Sequence, residues 1–150
     1  MPKQSVTLGR AKQDPHQNGG GHERQARSIR KCRPDYADEQ GKSRFDSYSI
    51  PQRLQQFAPP ADPVFVSERE PATGYVLIYM PPGWVGKPHP SPRRQILFCL
   101  SGGMRITSST GEVRTLAPGD AWLMGDTTGE GHKTEVTSKE GTKVVIVQLE

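Results

Sequence analysis

The stretch Gly83-Trp84-Val85-Gly86-Lys87-Pro88-His89-Pro90-Ser91-Pro92-Arg93-Arg94-Gln95-Ile96-Leu97-Phe98-Cys99-Leu100-Ser101-Gly102 decides the fold. It reads as a proline-rich rim segment that runs into an apolar strand and stops at a glycine turn. In a strand, residues of equal parity share a face. His89, Ser91, Arg93, Gln95, Leu97 and Cys99 share parity, and the apolar Leu97 and Cys99 mark their face as the interior. A regular strand would therefore bring an imidazole, a hydroxyl, a guanidinium and an amide to one mouth of the fold. Pro88, Pro90 and Pro92 suit an extended edge better than a central strand.

The same rhythm extends outward in both directions. From Tyr36 onward, short runs rich in β-branched and aromatic residues alternate with turn clusters. Strands are expected at Arg44–Ile50, Pro63–Ser67, Gly74–Met80, Gln95–Ser101, Met104–Ser108, Glu112–Leu116, Ala121–Met124, Lys133–Thr137 and Lys143–Leu149. The breaks carry turn residues: Pro81-Pro82-Gly83, Ser101-Gly102-Gly103, Thr110-Gly111, Pro118-Gly119-Asp120 and Glu140-Gly141. No segment sustains a helical period, although Gln52–Phe57 is compatible with one helical turn. The proline-dense Leu54–Pro63 is read as extended along the outside, where Leu54 and Phe57 find cover. The class is all-β, a sandwich, jelly roll or barrel.

Residues 1–35 differ in kind. Eight Lys/Arg face two acids in residues 1–34, a net of +6, while the whole chain carries +4. The remaining residues are therefore near −2, and the basic balance belongs to the N-terminal segment. That segment is poor in large apolar residues and is expected to be a disordered tail, leaving residues 36–150 as the folded domain. A basic tail is weak evidence for a nucleic-acid domain; a polybasic arm is the alternative reading. Cys32 and Cys99 are the only cysteines, so no disulfide framework is expected. No apolar run reaches membrane-span length and no secretory signal is evident. Membrane attachment is not expected, and a cytoplasmic protein follows by default.

Gly83, His89, Ser91, Gln95 and Gly102 together resemble the first motif of the cupins, commonly Gly-(x)5-His-x-His-(x)3–4-Glu-(x)6-Gly. Pro118-Gly119-Asp120, followed by His132 after the glycine-rich Gly125–Gly131, resembles the second. The resemblance covers about Tyr36 to the C-terminus and implies a jelly-roll β-barrel. Two ligand positions depart from the pattern: Ser91 replaces a histidine and Gln95 replaces the glutamate.

The resemblance implies a metal site at His89, Gln95 and His132 for a divalent transition ion (Fe, Mn, Ni or Zn). The depleted ligand set makes such an ion weakly held. The alternative is a metal-free pocket in which the two imidazoles bond to Gln95, Ser91 or water. The pocket is expected to be polar and to take a small acidic or carbonyl compound, with Arg93, Ser91 and Trp122 on its wall. Arg93 is satisfied either by Asp126 or Asp120, or by an anionic ligand. Asp126 could orient His132 as a general base, and the family's chemistry would be metal-assisted oxidation, isomerisation or elimination. A non-catalytic binding or structural barrel is the competing reading. Lys143–Leu149 is apolar on both faces, so something must cover its outer side; a homodimer fits.

Overall fold

A computed structural model describes the backbone of residues 27–32 and residues 35–150 in full. The described residues form twelve strands: β1 Arg27–Cys32, β2 Asp35–Ala37, β3 Ser43–Phe45, β4 Tyr48–Gln55, β5 Val64–Ser67, β6 Ala72–Met80, β7 Gln95–Ser101, β8 Met104–Ser108, β9 Val113–Leu116, β10 Ala121–Gly125, β11 His132–Val136 and β12 Thr142–Leu149. No helix occurs among the described residues, and none is long and apolar enough to cross a membrane. The large sheet runs β5-β4-β1-β10-β7-β12-β6, with the β2–β3 hairpin attached to β10; the small sheet runs β11-β8-β9.

Alternation builds the core. Gln95, Leu97 and Cys99 are buried on β7 while Ile96 and Phe98 are half-buried on the other face; Met104 and Ile106 are buried on β8. Trp122 pairs with Leu97, and Met124 with Gln95; Val144 pairs with Cys99. Directly paired residues share a face, so these side chains meet the Met104, Ile106 and Leu116 layer from the small sheet and close one core.

Eight of the nine expected strands appear within two residues of their expected ends. The ninth, Arg44–Ile50, divides into β3 and β4 around Asp46 and Ser47, and β4 continues through Gln55, so the helical turn considered at Gln52–Phe57 does not form. Leu54 and Phe57 do not find cover: they are 45% and 65% exposed. Strand β1 lies inside the segment assigned to the tail; its backbone pairs antiparallel with β4 and parallel with β10. Residues 1–26 and 33–34, which carry most of the tail reading, lie outside the described residues.

Candidate functional site

A cavity of about 280 Å³ opens between the sheets, near the lower end of ligand cavities, about 300–1,000 Å³. Ile78 and Met80 of β6, Leu97 of β7, Met104 of β8, and Val144 and Ile146 of β12 supply apolar wall; Trp84, Pro92, Trp122 and Met124 extend it. The polar groups on the wall are His89, Gln95, His132 and Thr134. The expected polar pocket is therefore an apolar one with a few polar contacts. The inward faces of β6 and β12 account for this: both strands send aliphatic side chains inward.

His89 and His132 come together through the main chain. Each amide donates to the other's carbonyl at 3.0 Å, and their ring centroids lie 5.1 Å apart. Gly131 permits the approach. It sits at φ +76°, and a Cβ there would lie 2.0 Å from the His89 carbonyl oxygen. His89 Nδ1 lies 2.7 Å from the Lys87 carbonyl. A carbonyl only accepts, so the proton of the neutral ring sits on Nδ1 and Nε2 keeps its lone pair. His132 Nδ1 lies 2.7 Å from Asp126 Oδ2, which fixes the same tautomer. Both neutral rings thus hold their lone pair on Nε2.

Behind His132 stands a buried cluster. Asp126 is fully buried. Its Oδ2 accepts from Ser43 Oγ and its Oδ1 from Ser91 Oγ, both at 2.7 Å. Asp35 Oδ1 accepts the amides of Gly125 and Asp126 at 2.7 and 3.3 Å. Asp35 Oδ2 lies 3.6 Å from His132 Nδ1 and is buried with no hydrogen-bond partner. Burial, then the charge of Asp126, pushes the Asp35 carboxyl up to about 7. Burial also acts to raise Asp126. The hydrogen bond and charge of His132, with the Ser43 and Ser91 hydroxyls, outweigh it and hold that carboxyl below its usual range. Asp35 thus takes up a proton near neutral pH while Asp126 stays ionised.

Asp35, Asp126 and His132 offer ligand atoms within 4.8 Å of one another, a candidate cation site. The 2.7 Å contacts to Asp126 are hydrogen-bond lengths, however, and both of its oxygens are already engaged. The cluster reads as a carboxylate support that orients His132.

Of the residues singled out in the sequence, His89, Gln95, His132 and Trp122 line one cavity. Gln95 Nε2 points its donor at Met124 Sδ, 3.4 Å away. Trp122 packs edge-on against His132, centroids 4.6 Å apart, and its Nε1 is buried without a partner. Ser91 is turned away from the cavity wall and bonds to Asp126. Arg93 is exposed and does not line the cavity. Strand β7 begins only at Gln95, so strand parity does not reach back to position 93. Arg94 pairs with Glu70 at the surface. Asp35 and Ser43 are members of the site that the sequence did not reveal: they lie 91 and 83 residues before their partner Asp126, and no local pattern announces such a contact.

This is a small two-sheet β-barrel whose cavity carries a pair of histidines. Residues 76–148 match the Cupin_2 family model, described as the cupin domain, and the chain carries a cupin domain. Asp35 and Ser43 fall outside the matched stretch. Several solved structures are similar, three of them as follows. A cupin 2 conserved barrel domain protein from Leptotrichia buccalis is 13% identical over 55% of this chain and 38% of that one, with a TM-score of 0.42. The conserved SPY1581 protein of unknown function from Streptococcus pyogenes is 20% identical over 57% and 70%, TM-score 0.41. The Cnp3 cupin domain of Schizosaccharomyces pombe is 12% identical over 81% and 88%, TM-score 0.41. No curated protein matches the chain.

Proposed function

We propose that the barrel binds one small molecule with an apolar body and a single carbonyl oxygen, seated with that oxygen at the His89, Gln95 and His132 end. The observation that carries this reading is the wall itself: aliphatic and aromatic side chains everywhere except around two imidazoles, an amide and Thr134. Among the described residues no Lys or Arg is on that wall, which favours a carbonyl over an anion.

A weakly held divalent metal is the second reading, and the two Nε2 lone pairs favour it. Two imidazoles on one ion place their ring centroids roughly 5 Å apart for Zn–N bonds near 2.1 Å, and the observed rings are 5.1 Å apart. His89, His132 and the Gln95 oxygen would hold the ion. When bound, it would polarise a carbonyl oxygen. Among the described residues the wall offers no carboxylate to balance the charge, so binding would be weak. Without the ion, His132 Nε2 is the group that accepts a proton from a bound compound, and Asp126 stabilises the imidazolium that results; with the ion, that lone pair would be taken up by the metal and His132 would serve as a ligand only. We take the protein to act as a cytoplasmic homodimer; the buried, free Cys99 suits a reducing compartment.

Ligand-observed NMR with cyclohexanone and acetophenone, run beside a Zn²⁺ titration, tests the reading on histidine-labelled protein. Binding of either ketone that shifts both Nε2 resonances supports the ligand cavity, and loss of binding in His89→Ala locates it. If neither ketone nor Zn²⁺ moves the two resonances, the cavity has no function at its histidine end.

A further inference from the structure

Strand β6 closes one end of the large sheet, so one side of its backbone has no strand partner among the described residues. Natural edge strands are usually blunted by charge, proline or shortness. From Ala72 to Met80 β6 has nine residues with neither a charge nor a proline. Its side chains are open as well: Tyr75 is 72% exposed, Val76 45%, Leu77 71%, Ile78 37% and Tyr79 55%. An uncovered apolar edge of this length invites another strand.

The order of residues says which strand. A twofold interface must be complementary to itself. Read from Leu77 outward, β6 is nearly a palindrome in residue class: Val76 and Ile78, then Tyr75 and Tyr79. Two antiparallel copies centred on Leu77 would set Leu77 against Leu77, Val76 against Ile78, and Tyr75 against Tyr79. Paired residues share a face, so aromatics meet aromatics on the outer side and aliphatics meet aliphatics on the inner side. The N-terminal segment of the same chain is a poorer occupant, since Met1, Val6 and Leu8 are the large aliphatic residues of its first 26.

Resting on the homodimer reading above, we infer that two copies of this chain join edge to edge through β6 about a twofold axis at Leu77, making one continuous sheet. The five exposed side chains present roughly 600 Å² per copy, of which an added edge strand covers only the flanks, well below the about 800 Å² per partner of a standard stable interface. The association is therefore a reversible one that follows concentration. Ile78 also lines the cavity, so the joint borders the ligand site of each copy.

Sedimentation velocity on the full chain, over about a hundredfold range of concentration, reads the association directly. The wild-type mass doubles as concentration rises. Leu77→Lys remains monomeric, with its melting temperature unchanged because Leu77 is exposed. Tyr75→Lys and Tyr79→Glu each weaken association, and the two combined restore it, because each new charge faces its opposite across the axis. A wild-type chain that stays monomeric throughout overturns both this joint and the homodimer. A dimer untouched by Leu77→Lys overturns the joint and leaves the homodimer standing. A double variant no tighter than the single ones overturns the register.

Discussion

His89 and His132, 43 residues apart in the chain, are joined by reciprocal backbone hydrogen bonds of 3.0 Å. The main chain, and not the rotamers alone, sets the spacing of the two imidazoles. One comes from the proline-rich rim before β7, the other from the first residue of β11. Whatever binds between them meets a preformed pair, which reduces the ordering cost of binding.

Gly131 is the point where that arrangement is most exposed to change. A side chain there would have to occupy space held by the His89 carbonyl and would be strained at φ +76° besides. Gly131→Ala is expected to cost about 2–4 kcal/mol. Urea denaturation measures the loss, and the histidine resonances should broaden as the bridge opens. A variant as stable as wild type, with sharp unshifted histidine signals, would contradict the geometry.

Asp126 gathers three donors at 2.7 Å, from Ser43, Ser91 and His132. In Asp126→Asn one oxygen becomes a donor, so at least one of those donors is left facing an N–H in a dry site. We expect a loss of about 2–4 kcal/mol and a His132 ring that no longer holds a single tautomer. Nitrogen chemical shifts of His132 check the second effect separately from stability. An unchanged Nδ1–H tautomer in the variant would remove Asp126 from the orienting role.

Arg93 supplies the control. It was expected to point inward and is exposed instead. Arg93→Ala should therefore change stability by no more than about 0.5 kcal/mol and leave ketone or Zn²⁺ binding unaltered. A variant that loses binding would return Arg93 to the pocket.

The contrast between Arg93 and Leu97 shows how far the sequence could be read. From Gln95 to Cys99 the strand is regular, parity holds, and the buried face was legible because alternation is a local property. At Pro88–Arg94 the chain is outside any strand of more than one bridge, so parity had no backbone to act on. The turns were legible for a related reason: Gly102 and Gly119 adopt positive φ at the breaks where their sequence clusters stood. Ser91 is buried, and its hydroxyl goes to Asp126 and not to the cavity. Asp35 and Ser43 were out of reach altogether. The β2–β3 hairpin that carries them grips the Gly125–Gly131 loop through Asp35 to the Gly125 amide, Gly41 O to the Glu130 amide, and a Lys42–Glu130 ion pair of 2.5 Å. Each contact spans most of the domain's length.

Asp35 also gives the site a pH signature. Its carboxyl is raised in the fold from 3.8 to about 7, first by burial and then by Asp126. Between those two values the folded state binds more protons than the unfolded chain. Stability therefore falls as pH rises through the window, with the Asp35 contribution fully present below the unfolded value and lost above about 7. Linkage limits the effect to no more than about 4 kcal/mol. Asp126 acts in the opposite sense: its lowered carboxyl adds stability above the unfolded value, lost as pH falls through its folded value. Asp35→Asn keeps an oxygen for the Gly125 and Asp126 amides and presents a neutral group to Asp126, as the protonated acid does. The variant should come closest to wild type near pH 4 and exceed it by the full amount from about pH 7 upward, so the difference between their urea midpoints should grow across the window. Other titrating groups cancel in that difference. Parallel curves for the two proteins from pH 5 to pH 8 would mean that Asp35 remains ionised in the fold, and that its buried oxygen has found a partner other than a proton.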